Sequence, residues 1–141
     1  MSIVKRSVDA ATARRAIAAA VAKSVEMGKM MSIAITDEAG VLKAFERMDG
    51  ASQLSIDISQ NKAFTAASFR LPTHVWYDFI KDDPPLLHGI VHTPRLIIFG
   101  GGFPIVESGQ VIGAIGISGG HYSEDMEVAK AALAAIGMPA A

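Results

Sequence analysis

The sequence predicts an α+β protein in which a mainly antiparallel sheet is covered by helices. Three observations carry that expectation. Amphipathic helical stretches open and close the chain, and extended stretches come in neighbouring pairs joined by turns. No strand–helix–strand repeat is present to link parallel strands. Along the 141 residues the element order reads α-β-β-α-α-β-β-β-α, one domain spanning residues 1–141.

The first helix is "SVDAATARRAIAAAVAKSVEMG". Ser7 or Asp9 can cap it, Ile17, Val21 and Val25 share a face, and Gly28 suits its end. "MSIAITD" alternates, with Met31, Ile33 and Ile35 on one side and Ser32, Ala34 and Thr36 on the other. "VLKAFER" alternates likewise after the turn "DEAG", so residues 31–47 form a hairpin. "SQLSIDISQNKAFTAASF" is helical, with Leu54, Ile58 and Thr65 on one face and Ala63, Ala66 and Ala67 permitting close packing. Pro72 breaks it, and Thr73 can cap a short helix through "HVWYDFI". "KDDPP" reads as a turn, Leu86 to Pro94 has no clear period, and "RLIIF" reads as a buried strand. "PIVESGQVIGAIGIS" is two strands joined at Ser108-Gly109, and "SEDMEVAKAALAAIG" is the last helix, with Ser123 as its cap and Gly137 as its stop.

Composition narrows the functional classes. Half the residues are hydrophobic, 19% are charged and the net charge is −1, so nothing draws the chain to nucleic acid or to an anionic membrane. There is no cysteine, which excludes disulfides, thiolate metal sites and cysteine nucleophiles. The N-terminus lacks an apolar signal core and no apolar run reaches membrane-spanning length, which predicts a soluble, cytoplasmic protein. A small chain with a mean hydropathy of +0.33 has apolar surface to hide, which favours a homo-oligomer.

The stretch "IIFGGGFPI" holds three consecutive glycines. A phosphate loop needs a lysine and a hydroxyl opening a helix, whereas Phe103 and Pro104 follow here and lead into a strand. Gly100, Gly101 and Gly102 serve either as a bulge entering the hairpin or as part of a cleared trough. Gly113, Gly116, Gly119 and Gly120 in "GAIGISGG" extend that trough onto the next strand. A flat ligand and a packed helix both need the same missing side chains.

The motifs "AFERMDGA", "NKAFTAASF", "FGGGFPI", "GQVIGAIGISGG" and "SEDMEVAKAAL", in that order, resemble the GlcG/HbpS-like family, also called the haem-degrading domain family. The C-terminal domain of PduO-type corrinoid adenosyltransferases is a member. The resemblance covers nearly the whole chain. It implies a profilin-like or PAS-like fold with a five-stranded antiparallel sheet, and assembly into dimers up to octamers. It also implies haem, or a related tetrapyrrole, as a ligand, and for some members a role in small-molecule catabolism.

With that family in view, the glycine stretch with Phe103 and Pro104 is expected to meet a ligand edge. Arg47 and Asp49 end the second strand; they form a local ion pair or cap, or Arg47 meets a ligand carboxylate. Lys62 begins a family motif in mid-helix and is either solvated or a second carboxylate contact. His88 and His92 in "HGIVH" are spaced for one side of an extended segment, and Gly89, Ile90, Val91 and Pro94 argue against a helix. They are candidates for a haem ligand or a proton carrier; the glutamate of a zinc-protease motif is missing, and no metal site is assigned. Binding is the favoured function. The alternatives are an enzyme, a hydrolase or tautomerase on a small carboxylate such as a ring-cleavage product, and an accessory protein-interaction module. In the enzyme, Arg47 would anchor the acid and His88 or His92 would move the proton.

Overall fold

The computed structural model describes residues 1–140. Five helices, α1 (Ala10–Glu26), α2 (Leu54–Phe69), α3 (Trp76–Ile80), α4 (Pro84–Gly89) and α5 (Tyr122–Ala135), accompany four strands. The strands are β1 (Ser32–Asp37), β2 (Leu42–Arg47), β3 (Gly102–Glu107) and β4 (Gln110–Ser118). They form one antiparallel sheet in the order β2-β1-β4-β3. No helix among the described residues is long and apolar enough to cross a membrane.

Alternation along β1 and β4 assigns each face of the sheet its own kind of packing. Ile33, Ile35, Ile115 and Ile117 point to one face, where Ala13, Ala16, Ile17 and Ala20 of α1 and Val128, Ala132 and Leu133 of α5 close the main core. The opposite face carries Ser32, Ala34, Ala114 and Gly116, and α2 covers it through Ser55, Ser59, Ala63, Ala66 and Ala67. Small residues on both partners let the helix backbone come down onto the sheet. A Cβ on Gly116 would collide with the carbonyl oxygen of Ser59 and lie 2.6 Å from the nitrogen of Ala63. The Ser32 and Ser55 hydroxyls bond across the same contact at 2.8 Å.

Local signals explain the element ends. Asp9 caps α1, accepting from the Thr12 nitrogen at 2.7 Å. The β3–β4 hairpin turns at Ser108 and Gly109, both left-handed at φ 51° and 77°, the geometry of a two-residue turn.

Four expectations are corrected. "RLIIF" is not a strand, so the sheet has four strands rather than five. Arg95 adopts a left-handed φ of 67°, which breaks the extended run. The Thr65 hydroxyl then takes the place of a neighbouring strand, donating to the Arg95 carbonyl at 2.9 Å and accepting from the Ile97 nitrogen at 3.1 Å. Pro84 and Pro85 start α4 rather than only closing a turn. Asp83 caps that helix, and proline at its start removes amides that have no helical partner. The cap of α5 is His121 rather than Ser123, in a reciprocal box with Glu124. Thr73 caps nothing; its hydroxyl accepts from the Gly102 nitrogen at 2.9 Å, tying the glycine loop to the turn before α3.

Candidate functional site

Strand register gathers the glycine-rich motifs at one end of the sheet. Arg47 pairs with Ser32, Ser32 with Ser118, and Gly102 with Gly116. The chain leaving β2, the chain entering β1, the exit of β4 and the entry to β3 therefore lie side by side. Backbone bonds stitch this end together: Met48 N to Met31 O at 3.0 Å, and Ile117 N to Gly101 O at 2.9 Å.

Beneath it lies a buried ion pair. Lys62, fully buried in α2, donates through Nζ to Asp125 Oδ2 and to the Ile117 carbonyl, both at 2.8 Å. Asp125, from the first turn of α5, accepts from the Gly120 nitrogen at 3.0 Å through its other oxygen. Phe99 lies over the lysine, its ring centre 5.1 Å from Nζ. Loss of hydration lowers the lysine pKa and raises the aspartate pKa, while mutual attraction and the shared hydrogen bond oppose both shifts. Two helices, the end of β4 and the glycine loop thus meet at one pair of charges.

The neighbours of the glycines are the chain's own atoms. A Cβ on Gly101, whose φ is +122°, would stand 2.6 Å from Lys62 Nζ and 2.8 Å from the Ile117 carbonyl oxygen. At Gly102 it would meet the Lys62 carbonyl at 2.5 Å, and at Gly100 the Met126 sulfur and His74 Cβ. Phe103 and Pro104 are buried in β3. The close approach expected of a ligand edge is supplied by the chain's own α2, α5 and the turn at Thr73 and His74. Lys62 likewise faces inward and holds the carboxylate of Asp125, not a ligand's.

The other sequence candidates lie at the surface. Arg47 and Asp49 are exposed and enter no ion pair among the described residues. His88 and His92 are exposed, but in helical backbone: His88 is in α4, and His92 ends the 3-10 turn Ile90–His92. The extended segment expected there is corrected, because the capped proline start carries the helix past β-branched Ile90 and Val91. α4 packs chiefly against α3 and that turn, so the fold does not bring the two histidines to Arg47.

His74 is the histidine that sequence reasoning passed over. It sits beside Gly100, its ring centre 5.5 Å from that of Phe103, with Nδ1 buried and without a hydrogen-bond partner. Burial first, and then the nearby Lys130 charge, lower its pKa from the ordinary 6.5, with Asp78 opposing the shift, which favours the neutral imidazole. Phe99, 41% exposed, stands next to Gly100 on the same rim.

A four-stranded antiparallel sheet with α2 on one face, α1 and α5 on the other and a glycine-rich end describes a class of small α+β proteins. The family model described as haem degrading protein HbpS-like matches residues 8–134, and the chain belongs to that family. An uncharacterised 15.0 kDa protein encoded between dhaT and dhaS of Citrobacter freundii is 38% identical over 125 residues, 87% of each chain. Among solved structures, Klebsiella pneumoniae ORFY superposes with a TM-score of 0.89 at 33% identity, covering 96% of this chain and 94% of that one. PduOC in a complex with heme superposes with a TM-score of 0.87 at 28% identity, covering 95% and 98%.

The ion pair makes a direct prediction. Lys62→Met and Asp125→Leu alone should each destabilise by about 3–5 kcal/mol, because each strands a buried charge. The double variant should lose less than the sum, by at least about 2 kcal/mol, in urea unfolding. Additive losses would mean that the two groups do not act as a pair.

Proposed function

We propose that this protein binds haem, or a closely related tetrapyrrole, as a cytoplasmic homo-oligomer of one-domain subunits. The observation that carries the reading is family membership together with the likeness to PduOC, a relative whose structure holds heme. The residues of the glycine-rich rim fit such a group. A histidine that ligates haem iron must offer an unprotonated imidazole nitrogen, and His74 is the half-buried histidine at that rim whose pKa is lowered by burial. Phe99 offers an aromatic face beside it, while Lys130 and Arg47 are cations suited to the propionates. Bound haem would supply iron redox and ligand chemistry, and the polypeptide supplies the imidazole, the apolar contact and the counter-charges. The alternative of an enzyme acting on a small carboxylate has less support, since His88 and His92 stand apart from Arg47.

Titrating the purified protein with haemin tests the reading. The expected result is a shifted Soret band that saturates near stoichiometry. His74→Ala should abolish the shift or weaken binding at least tenfold, about 1.4 kcal/mol, while His88→Ala and His92→Ala leave it unchanged. A flat titration of the parent protein would overturn haem binding; loss of the shift in His88→Ala or His92→Ala alone would move the ligand to α4 or the 3-10 turn after it.

Self-association rests on a separate feature. Phe69, Leu71, Val75, Trp76 and Phe79 line an apolar groove of about 370 Å³. Phe79 is 74% exposed, Phe69 50% and Leu71 48%, and the buried Trp76 Nε1 has no hydrogen-bond partner. Exposed aromatic and aliphatic surface of this kind is complementary to a second copy that covers the rings. Light scattering at micromolar concentration should give at least twice 14.8 kDa, and Phe79→Glu should shift the protein toward monomer. A parent mass near 14.8 kDa contradicts the proposal.

A further inference from the structure

Arg95 lies away from the glycine-rich end, in an open cleft of about 600 Å³ beside the β1–β2 turn. Its left-handed backbone, φ 67°, is one that glycine adopts freely and that strains an arginine. The side chain is nonetheless held with care. Nε donates to Asn61 Oδ1 at 3.0 Å, and Cζ stands 3.8 Å from the centre of the Phe64 ring. Gly40 leaves room for that ring, since a Cβ there would come within 2.9 Å of Phe64 Cδ2. One hydrogen bond and one stack fix the guanidinium plane, and no carboxylate pairs with it among the described residues.

Two other features of the cleft define what it suits. Val41 and Leu42, 62% and 47% exposed, make an apolar wall. Asp57 and Gln60 of α2 line the same cleft, and Asp57 also forms no ion pair among the described residues. A fixed cation and an anion therefore share one cleft without neutralising each other. A guanidinium held in plane presents parallel N–H donors that match a carboxylate. An acid lacking any donor would meet the Asp57 charge uncompensated, whereas an ammonium or hydroxyl on the ligand turns that carboxylate into a partner.

We propose that the cleft binds a small organic acid that also carries a hydrogen-bond donor, with its carboxylate on Arg95 and its donor toward Asp57 or Gln60. The site lies at the opposite end of β2 from Arg47 and stands independently of haem binding. It also gives the motif "NKAFTAA" two uses: Lys62 faces the ion pair, while Asn61 and Phe64 hold Arg95 and Thr65 fixes its backbone.

Backbone-amide NMR titrations with alanine, lactate and propionate test this. These acids share a three-carbon skeleton and differ in an ammonium, a hydroxyl or a hydrogen. Saturable shifts confined to residues 39–42, 57–64 and 94–96 are expected with alanine or lactate, and weaker binding with propionate. Arg95→Gly should remain folded, because glycine accepts the left-handed backbone, and should weaken binding at least tenfold. Asp57→Asn should narrow the gap between propionate and the better ligand. Three results overturn the proposal: no saturable shift with any of the acids, unchanged binding in a folded Arg95→Gly protein, or propionate binding as tightly as the other two.

Discussion

The pairing of Lys62 with Asp125 is the contact on which the glycine-rich end of the molecule depends. It joins α2 to α5 across the exit of β4, and the same two side chains take up the Ile117 carbonyl and the Gly120 amide. Moving two charges out of water is unfavourable, and their attraction at close range offsets that only when the remaining hydrogen bonds are made. Here each charge has one such further bond, made by backbone groups of the very segments that need to be positioned. The pair acts less as a source of stability than as a constraint on geometry, since any displacement of α5 relative to α2 strands a charge.

The glycines follow from that constraint. An ammonium buried against the end of β4 leaves no volume for a side chain at Gly101, and a helix lying directly on the sheet leaves none at Gly116. Seen this way, the glycine stretches and the lysine motif describe one object from two sides. Phe99 and His74 flank Gly100 at this end of the molecule, and Arg47 is exposed where β2 ends. Burial and the Lys130 charge lower the pKa of the His74 imidazole.

Much of this was legible in the sequence. Period-two alternation in "MSIAITD" assigned Ile33 and Ile35 to the main core and Ser32, Ala34 and Thr36 to the other face, as the structure has them. The Ser108-Gly109 turn and the alanine face of α2 were equally plain, because each rests on local chemistry. The errors came where partners distant in sequence decide. "RLIIF" has strand composition, but the Thr65 hydroxyl satisfies its backbone and Arg95 turns the chain. Lys62 was visible as a motif residue, yet its partner lies 63 positions away in a helix start where an acid needs no special explanation. A lysine flanked by Ala63, Ala66 and Ser59 at helical spacing was the available sign that it points inward. His74 offered no such sign, and neither did the hold of Asn61 on Arg95.

Native-state hydrogen exchange in the parent protein and in Asp125→Asn tests the central claim most directly, because the substitution keeps the shape and removes the charge. If the pair holds the glycine-rich end together, the amides of Gly102, Ile117 and Gly120 lose protection well beyond the global change in stability. Ile105 and Ile112, toward the far end of the β3–β4 hairpin, should then change only with the global term. A uniform loss of protection across the sheet would contradict the account, since the pair would then be one more contribution to overall stability.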